Sequence, residues 1–305
     1  MVVLVTGAKG QLGQAIQSIS ANYPEIHFVF CDSSTLDISN LNNVEQIFKQ
    51  YKPQYCINAA AYTAVDKAES EPEKANLINV IGAKNLAESC KKFSTILLHV
   101  STDFVFDGDS SKLSPRAQSR GYSEDDIPNP TGVYGQTKLD GEKAIQETFD
   151  NYYIIRTSWV YSQFANNFMK TMLRLAAERE NLSVVNDQIG TPTNAIDLAE
   201  VLIKIISHEE RSRSAFLPIS TFGIYNFSNE GQCSWYDFAK KIFEVNNIKI
   251  NLQPIPTTSF PTPAKRPSFS VLDKSKIKDI FGITILNWEN SLKTIDFSVI
   301  NEKKP

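Results

Sequence analysis

Tyr134 and Lys138 stand four residues apart in Val133-Tyr134-Gly135-Gln136-Thr137-Lys138, a stretch of helical composition. A helix there puts both side chains on one face. A phenol gives its proton to a carbonyl only if something eases the loss, and an ammonium one turn away can do so electrostatically while gripping a ribose. Alone, the pair also describes a surface tyrosine beside a solvated lysine. Two further segments change that balance: a glycine-rich turn near the N-terminus, and Ser101-Thr102-Asp103 at the end of the apolar run Ile96-Leu97-Leu98-His99-Val100.

The turn follows the short apolar run Val2–Val5 and carries Gly7, Gly10 and Gly13 in Gly-x-x-Gly-x-x-Gly spacing. This differs by one residue in the first gap from the Gly-x-Gly-x-x-Gly dinucleotide fingerprint. The order strand, glycine turn, helix lets the backbone approach a pyrophosphate, with the N–H groups at the start of the following helix aimed at it. The competing reading is a turn that merely reverses the chain. The second strand, His27–Cys31, ends in Asp32, an acid placed to accept hydrogen bonds from an adenosine ribose. After a third strand, Tyr55–Asn58, the small residues Ala59, Ala60 and Ala61 let a flat nicotinamide-ribose unit lie against the backbone, or equally let a helix pack close.

The elements that must position these residues alternate. Helices are expected near Val44–Tyr51 and Pro72–Lys92, strands ending at Val100 and over Tyr152–Thr157, and this alternation predicts an α/β fold with a Rossmann-type doubly wound parallel sheet. Residues Asp107–Pro130, rich in Ser, Asp, Arg, Gly and Pro, read as a long surface loop: a lid, a binding element or a disordered segment. Beyond Trp159 come a helix near Asn166–Glu180, a short strand Leu182–Val185 and a turn at Gly190-Thr191-Pro192-Thr193. Helices over Asp197–Ile206 and Trp235–Asn246 and an extended Pro254–Pro267 complete the pattern. The expected division is a dinucleotide-binding domain over 1–160, with 182–206 contributing, and a smaller C-terminal α/β substrate-binding domain over 161–305.

Composition narrows the function. A formal net charge of -3 leaves no electrostatic footprint for nucleic acid, and no apolar run reaches membrane-spanning length. A first strand beginning at residue 2 leaves no room for a secretion signal, so a cytoplasmic protein is expected. Cys31, Cys56, Cys90 and Cys233 have neither zinc-ligand nor redox spacing and read as buried small hydrophobes. His27, His99 and His208 form no cluster; His99, inside an apolar run, reads as a packed, hydrogen-bonded histidine.

Longer segments carry a resemblance. Asn58–Glu69, Ser101–Phe106, Arg156–Tyr161, Asn166–Ala176, Gly190–Thr193 and Arg266-Pro267, with the glycine turn and Tyr134/Lys138, resemble the dTDP-4-dehydrorhamnose reductases of the extended short-chain dehydrogenase/reductase superfamily. The resemblance covers nearly the whole chain. It implies reduction of the 4-keto group of dTDP-4-dehydro-6-deoxy-L-mannose to dTDP-L-rhamnose with NADPH or NADH. It implies a catalytic triad of Thr102, Tyr134 and Lys138: the threonine orients the ketone, the tyrosine protonates its oxygen as hydride arrives, and the lysine holds the ribose and eases loss of the phenol proton. The implied cofactor contacts are Gly7, Gly10, Gln11, Leu12, Asp32, Asp37, Ile38 and Ala59–Ala61, besides Tyr134 and Lys138. The implied substrate contacts are Val65, Thr102, Asp103, Trp159, Asn167 and Arg266; the competing, less favoured role for Trp159 is a core aromatic.

Two departures accompany the resemblance. Some family members dimerise through a Mg²⁺ site built from glutamates, whereas the matching positions here are Ala15, Ile196 and Glu289, so no metal and a monomer or weak homodimer are expected. The loop after Asp107 is also longer than in several relatives. For the cofactor the residues pull both ways. Asp32 favours a free ribose hydroxyl, while Ser33, Ser34 and Lys9 could serve a 2′-phosphate. Two other functions compete: a reductase of another nucleotide-linked keto sugar, and a non-catalytic regulatory subunit like the β subunit of methionine adenosyltransferase. The combination of Val65 and Arg156-Thr157-Ser158-Trp159 with a complete triad suits the dTDP-sugar reductase better.

Overall fold

The computed structural model describes residues 1–109, 111, 115–214 and 221–301. Strands β1 (Val2–Thr6), β2 (His27–Phe30), β3 (Tyr55–Asn58), β4 (Ile96–Thr102) and β5 (Tyr152–Thr157) form one sheet with a sixth strand, Gly223–Asn226. The order is β2-β1-β3-β4-β5 and then Gly223–Asn226, and every pairing is parallel. Alternate residues feed two separate cores: Val3, Val5, Tyr55 and Ile57 pack on one face, Leu4, Cys56, Leu97 and Ile154 on the other. Both faces are covered, so the strands read as unbroken apolar runs instead of alternating ones.

Helix α1 (Gln11–Ile19) and the long helix Ala195–Ser214 cover the first face. Helix α2 (Leu41–Tyr51) and the helix Gly82–Phe93 cover the second. Each buried Leu, Ile or Val contributes roughly 1.5–3 kcal/mol, so these two apolar layers are the main source of stability. All four cysteines are buried free thiols: Cys31, Cys56 and Cys90 in the second layer, Cys233 in a separate cluster.

That separate cluster is built from helices Phe168–Glu178, Trp235–Val245 and Trp288–Leu292 around a two-stranded parallel pair, Asn181–Val185 with Asn251–Ile255. Between these elements the chain returns to the large sheet, first with Ala195–Ser214 and Gly223–Asn226, later with Ser275–Phe281, whose Ile277 joins the first apolar layer.

Three expectations need correction. The helix over Pro72–Lys92 is not uniform: Pro72–Asn76 and Gly82–Phe93 are α-helical, but Leu77–Ile81 form a π-helical turn in which Gly82 N–H donates to Leu77 O, five residues back. The segment Asp107–Pro130, of which residues 110 and 112–114 lie outside the described set, is more ordered than a surface loop. It contains the helix Pro115–Arg120, and Tyr122 bridges Leu272 while its ring stacks on Phe106 at 4.2 Å. Glu124 accepts from Asn226 N–H at 2.8 Å, and Arg116 pairs with Asp273 at 2.8 Å. Leu272, Asn226 and Asp273 lie more than 90 positions from the residues they meet here, beyond the reach of any local pattern. Finally, the proline-rich Pro254–Pro267 is extended only at its start, in Asn251–Ile255, before the 3₁₀ turn Thr257–Ser259.

Candidate active site

The carboxyl ends of β1, β3 and β4 open into a cleft of about 640 Å³ roofed by the separate cluster. It lies where connections leave the sheet in opposite directions, β1 toward β2 on one side and β3 toward β4 on the other, the usual place for a ligand in such folds. Of the residues singled out from sequence, Gly10, Gln11, Leu12, Ala59 and Ala61 line it. So do Thr102, Asp103, Tyr134 and Lys138, and Val65, Trp159, Asn167 and Arg266. Gly7, Asp32, Asp37, Ile38 and Ala60 are not among its lining residues.

Gly7 has φ 65, and a Cβ there would stand 2.7 Å from the Ala59 carbonyl carbon, so only glycine lets the turn lie against the tail of β3. Gly10 N–H closes the turn on Gly7 O at 2.9 Å. No side chain among the described residues caps α1 and its first turn carries no acid, which leaves its N–H groups and the positive end of its dipole for an anion. The Gln11 side chain is engaged elsewhere. It accepts from Asn167 Nδ2 at 2.9 Å and from Ser162 Oγ at 3.1 Å and donates to Val160 O at 3.2 Å, tying α1 to the roof.

Asp32 forms an ion pair with Lys9 and accepts from the Ser34 N–H and hydroxyl at 2.8 and 2.5 Å. These partners, the Lys9 hydrogen bond first, hold its carboxyl far below the usual range. The groups expected to compete over a 2′-phosphate are thus bonded to one another. Asp37 is exposed and accepts from Ser39 N–H at 2.9 Å. Ile38 is buried under Gly82, with its carbonyl accepting from Asn85 Nδ2 at 2.9 Å.

Helix Val133–Thr148 carries Tyr134 and Lys138 under the end of β4. Burial pushes the Tyr134 phenol up to about 12, a hydrogen bond with Thr102 pulls it down, and the nearby Asp103 charge raises it again. Lys138 is 1% exposed and donates to Val100 O at 2.7 Å, with His99 Nε2 at 3.1 Å. Burial brings its ammonium down to about 8 against the pull of Glu142. Lys138 is thereby bonded into β4, one turn along the helix from Tyr134. Asp103 is 2% exposed; burial raises its carboxyl to about 7, with the Ser270 and Thr102 hydroxyls pulling partway back. Its Oδ1 accepts from Thr102 at 3.0 Å, while its Oδ2 has no hydrogen-bond partner among the described residues. A buried ion pair, Arg156 with Glu142 at 2.7 Å, backs the same helix, and Ser101 Oγ donates to Glu142 at 2.5 Å.

On the roof, Trp159 has φ 46, unusual for a bulky residue. Its ring stacks on Trp235 at 3.6 Å and lies against Gly190, where a Cβ would stand 2.5 Å from it. Arg266 Nη2 donates to Asp66 Oδ2 at 2.8 Å, and its Nη1 is buried without a partner among the described residues. Asn167 caps the helix Phe168–Glu178 through Lys170 N–H at 3.1 Å, so its amide orders the wall and Gln11 together. Trp235, Gln188 and Thr63 also line the cleft and were not singled out; Thr63 lies inside Asn58–Glu69 and Gln188 just before the Gly190 turn, signals that could have found them, while Trp235 has none. At the three positions compared with a Mg²⁺ site, Ala15 is buried in the first apolar layer, Ile196 packs against it, and Glu289 pairs with Lys241 at 2.9 Å.

A doubly wound parallel sheet with a glycine turn at its switch point, and threonine, tyrosine and lysine gathered under the end of β4, defines an oxidoreductase of the short-chain dehydrogenase/reductase type. Residues 1–298 match the family model described as the RmlD substrate binding domain, and the chain belongs to this family, the dTDP-4-dehydrorhamnose reductases. It is 42% identical to the dTDP-4-dehydrorhamnose reductase of Aggregatibacter actinomycetemcomitans over 96% of this chain and 97% of that protein. Among solved structures it is similar to the Bacillus anthracis dTDP-4-dehydrorhamnose reductase in complex with NADP, at 40% identity, TM-score 0.86 and coverage of 96% and 97%. The Clostridium acetobutylicum counterpart gives the same identity, TM-score and coverages.

Proposed function

We propose that the chain reduces the 4-keto group of dTDP-4-dehydro-6-deoxy-L-mannose to dTDP-L-rhamnose, with NADPH or NADH as reductant. The observation that carries this reading is that Thr102, Tyr134 and Lys138 share one cleft with an uncapped helix N-terminus and a stacked tryptophan pair. The residues fit a dinucleotide. The α1 N–H groups and the glycine turn suit its pyrophosphate, the small Ala59 and Ala61 leave room for a flat ring, and Lys138 is within the cleft for a ribose hydroxyl. Bound there, the nicotinamide supplies the hydride.

The protein's own part is to place and protonate the ketone. The Thr102 hydroxyl accepts from Phe104 N–H at 3.2 Å and gives its one proton to Asp103 at 3.0 Å; turned from Asp103 to the ketone oxygen, that proton orients the substrate. Tyr134 donates the proton; its phenol, raised to about 12, keeps that proton until negative charge grows on the substrate oxygen. Asp103, raised to about 7, is available as a neutral acid beside Thr102. Trp159 and Trp235 give a flat face for base or sugar, and Arg266 Nη1 a donor for a phosphate oxygen. In this reading the sheet-centred region holds the dinucleotide and the smaller cluster the sugar nucleotide.

An intact Thr102–Tyr134–Lys138 set favours catalysis over a purely regulatory dinucleotide-binding role. No described helix is long and apolar enough to cross a membrane. The same proposal makes the protein a cytoplasmic monomer or weak homodimer, checked by gel filtration with and without chelator. The deciding assay supplies the keto sugar nucleotide made by the upstream dehydratase and epimerase, and follows both NAD(P)H oxidation and the sugar product. Failure of dTDP-L-rhamnose to form with either cofactor sinks the reading; turnover of a different nucleotide-linked keto sugar replaces it with the nearest competitor.

A further inference from the structure

Gln11 serves both sides of the cleft. It opens α1, so its backbone N–H belongs to the uncapped row left for a pyrophosphate, while its side chain crosses to the loop 162–167, which leads into the helix Phe168–Glu178. Ala165, Asn166 and Asn167 of that loop line the cleft. The crossing has a fixed direction. Gln11 Nε2 donates to Val160 O at 3.2 Å, which turns Oε1 to the loop, where Asn167 Nδ2 donates to it at 2.9 Å. The Asn167 amide is held at both ends: Oδ1 accepts from Lys170 N–H at 3.1 Å, and Nδ2 also faces two carbonyls, Ser162 O at 2.8 Å and Phe164 O at 3.2 Å. Ser162 Oγ stands 3.1 Å from Gln11 Oε1 and 3.2 Å from Phe164 O, with one proton to give to either.

The loop needs such support. Ala165 has φ 46, a left-handed conformation without glycine's freedom, and Gln163 Oε1 is buried with no hydrogen-bond partner among the described residues. Backbone of this kind persists only where surrounding contacts over-determine it. Among the described hydrogen bonds of residues 162–167, those to Gln11 are the ones that reach α1; the others stay within the loop or go to Lys170 and Thr171. Phe164 also rests on the first apolar layer, a contact without direction.

We propose that the Gln11 side chain is a positioning residue for the sugar nucleotide, coupling the two binding sites. A dinucleotide on the α1 N–H groups steadies Gln11, Gln11 steadies Asn167 and its loop, and a nucleoside diphosphate then binds with less ordering left to do. The assistance runs equally in both directions, because coupling between two binding equilibria is reciprocal. That the loop meets the sugar nucleotide rests on the reductase reading above.

The first arm of the test needs no sugar nucleotide. Amide hydrogen exchange of the full chain is followed with and without saturating NADP⁺. In the wild type, protection should rise in the glycine turn and also in peptides covering 161–170; in Gln11→Met, which keeps the length of the side chain without its amide, it should rise in the turn alone. No added protection over 161–170 in the wild type, or the same gain in Gln11→Met, overturns the proposal. The second arm measures dTDP affinity by calorimetry. Saturating NADP⁺ should tighten wild-type binding about tenfold, and Gln11→Met about twofold or less. Should Gln11→Met fail to fold, Ser162→Ala cuts one strand of the link from the loop side and should lower the coupling ratio about threefold. A purely structural contact would lower Tm and leave the ratio as it is, which also overturns the proposal. A dTDP that fails to bind while the exchange result holds counts against the reductase reading and leaves the link from Gln11 to the loop standing.

Discussion

Two walls of the cleft differ in what they are made of. The wall at β1, β3 and α1 is largely backbone, a glycine turn pressed on the tail of β3 and a row of helix N–H groups. The wall at the roof is side chain, Trp159 on Trp235 with Arg266 braced by Asp66. A backbone wall tolerates little change of shape and suits the part of a ligand that is the same in NADH and NADPH. A side-chain wall can be rewritten residue by residue, and suits the part that decides which sugar nucleotide enters.

Substitutions that strike one side and spare the other test this division. The largest effect is expected between the walls: Tyr134→Phe should lower turnover by ~10²–10⁴ while dinucleotide affinity, read by fluorescence titration, stays near wild type. Near-normal turnover would mean that the proton comes from elsewhere. Gly7→Ala strikes the backbone wall, where a Cβ would meet Ala59 backbone at 2.7 Å; dinucleotide Kd should rise about tenfold or more, with a lower Tm. Trp235→Ala should raise KM for the sugar nucleotide by up to about tenfold through loss of the stack, without changing dinucleotide Kd. An equal loss of both affinities would show the walls to be one unit.

Smaller effects sharpen the picture. Asp32→Ala frees Lys9 and Ser34, so the ratio of kcat/KM for NADPH over NADH should rise a few-fold; an unchanged ratio means that Asp32 does not read the ribose. Asp103 supplies a pH dependence. Its carboxyl rises from 3.8 unfolded to about 7 folded, so the unfolded chain ionises first and stability falls as pH climbs through that window. Asp103→Asn should flatten Tm against pH between about 4 and 7, since an amide has no such titration.

Legibility followed the same division. Gly7, Gly10, Gln11 and Leu12 could be read because a backbone wall is written in consecutive residues, and Tyr134 and Lys138 because helical spacing joins them. Trp235 could not, since it reaches Trp159 from 76 positions away and its local pattern is that of an ordinary helix start. The strand Gly223–Asn226 was also invisible: four residues opening with glycine, they join the sheet only through β5. Asp32 was found, but its engagement by Lys9 and Ser34 depends on distances that no sequence states.

The π-helical turn at Leu77–Ile81 has a consequence for chain length. It projects Asn79 between two other segments, where the side chain accepts from Tyr62 N–H at 2.8 Å and donates to Tyr62 O at 3.2 Å and to Thr137 Oγ1 at 3.1 Å. Asn79 thereby fastens the stretch after β3 to the helix that carries Tyr134 and Lys138. Deleting one residue from this turn would restore regular α geometry and rotate everything before it by about 100° around the helix axis. To a sequence comparison that deletion is a trivial gap; to the protein it would unfasten the catalytic helix from the strand ends.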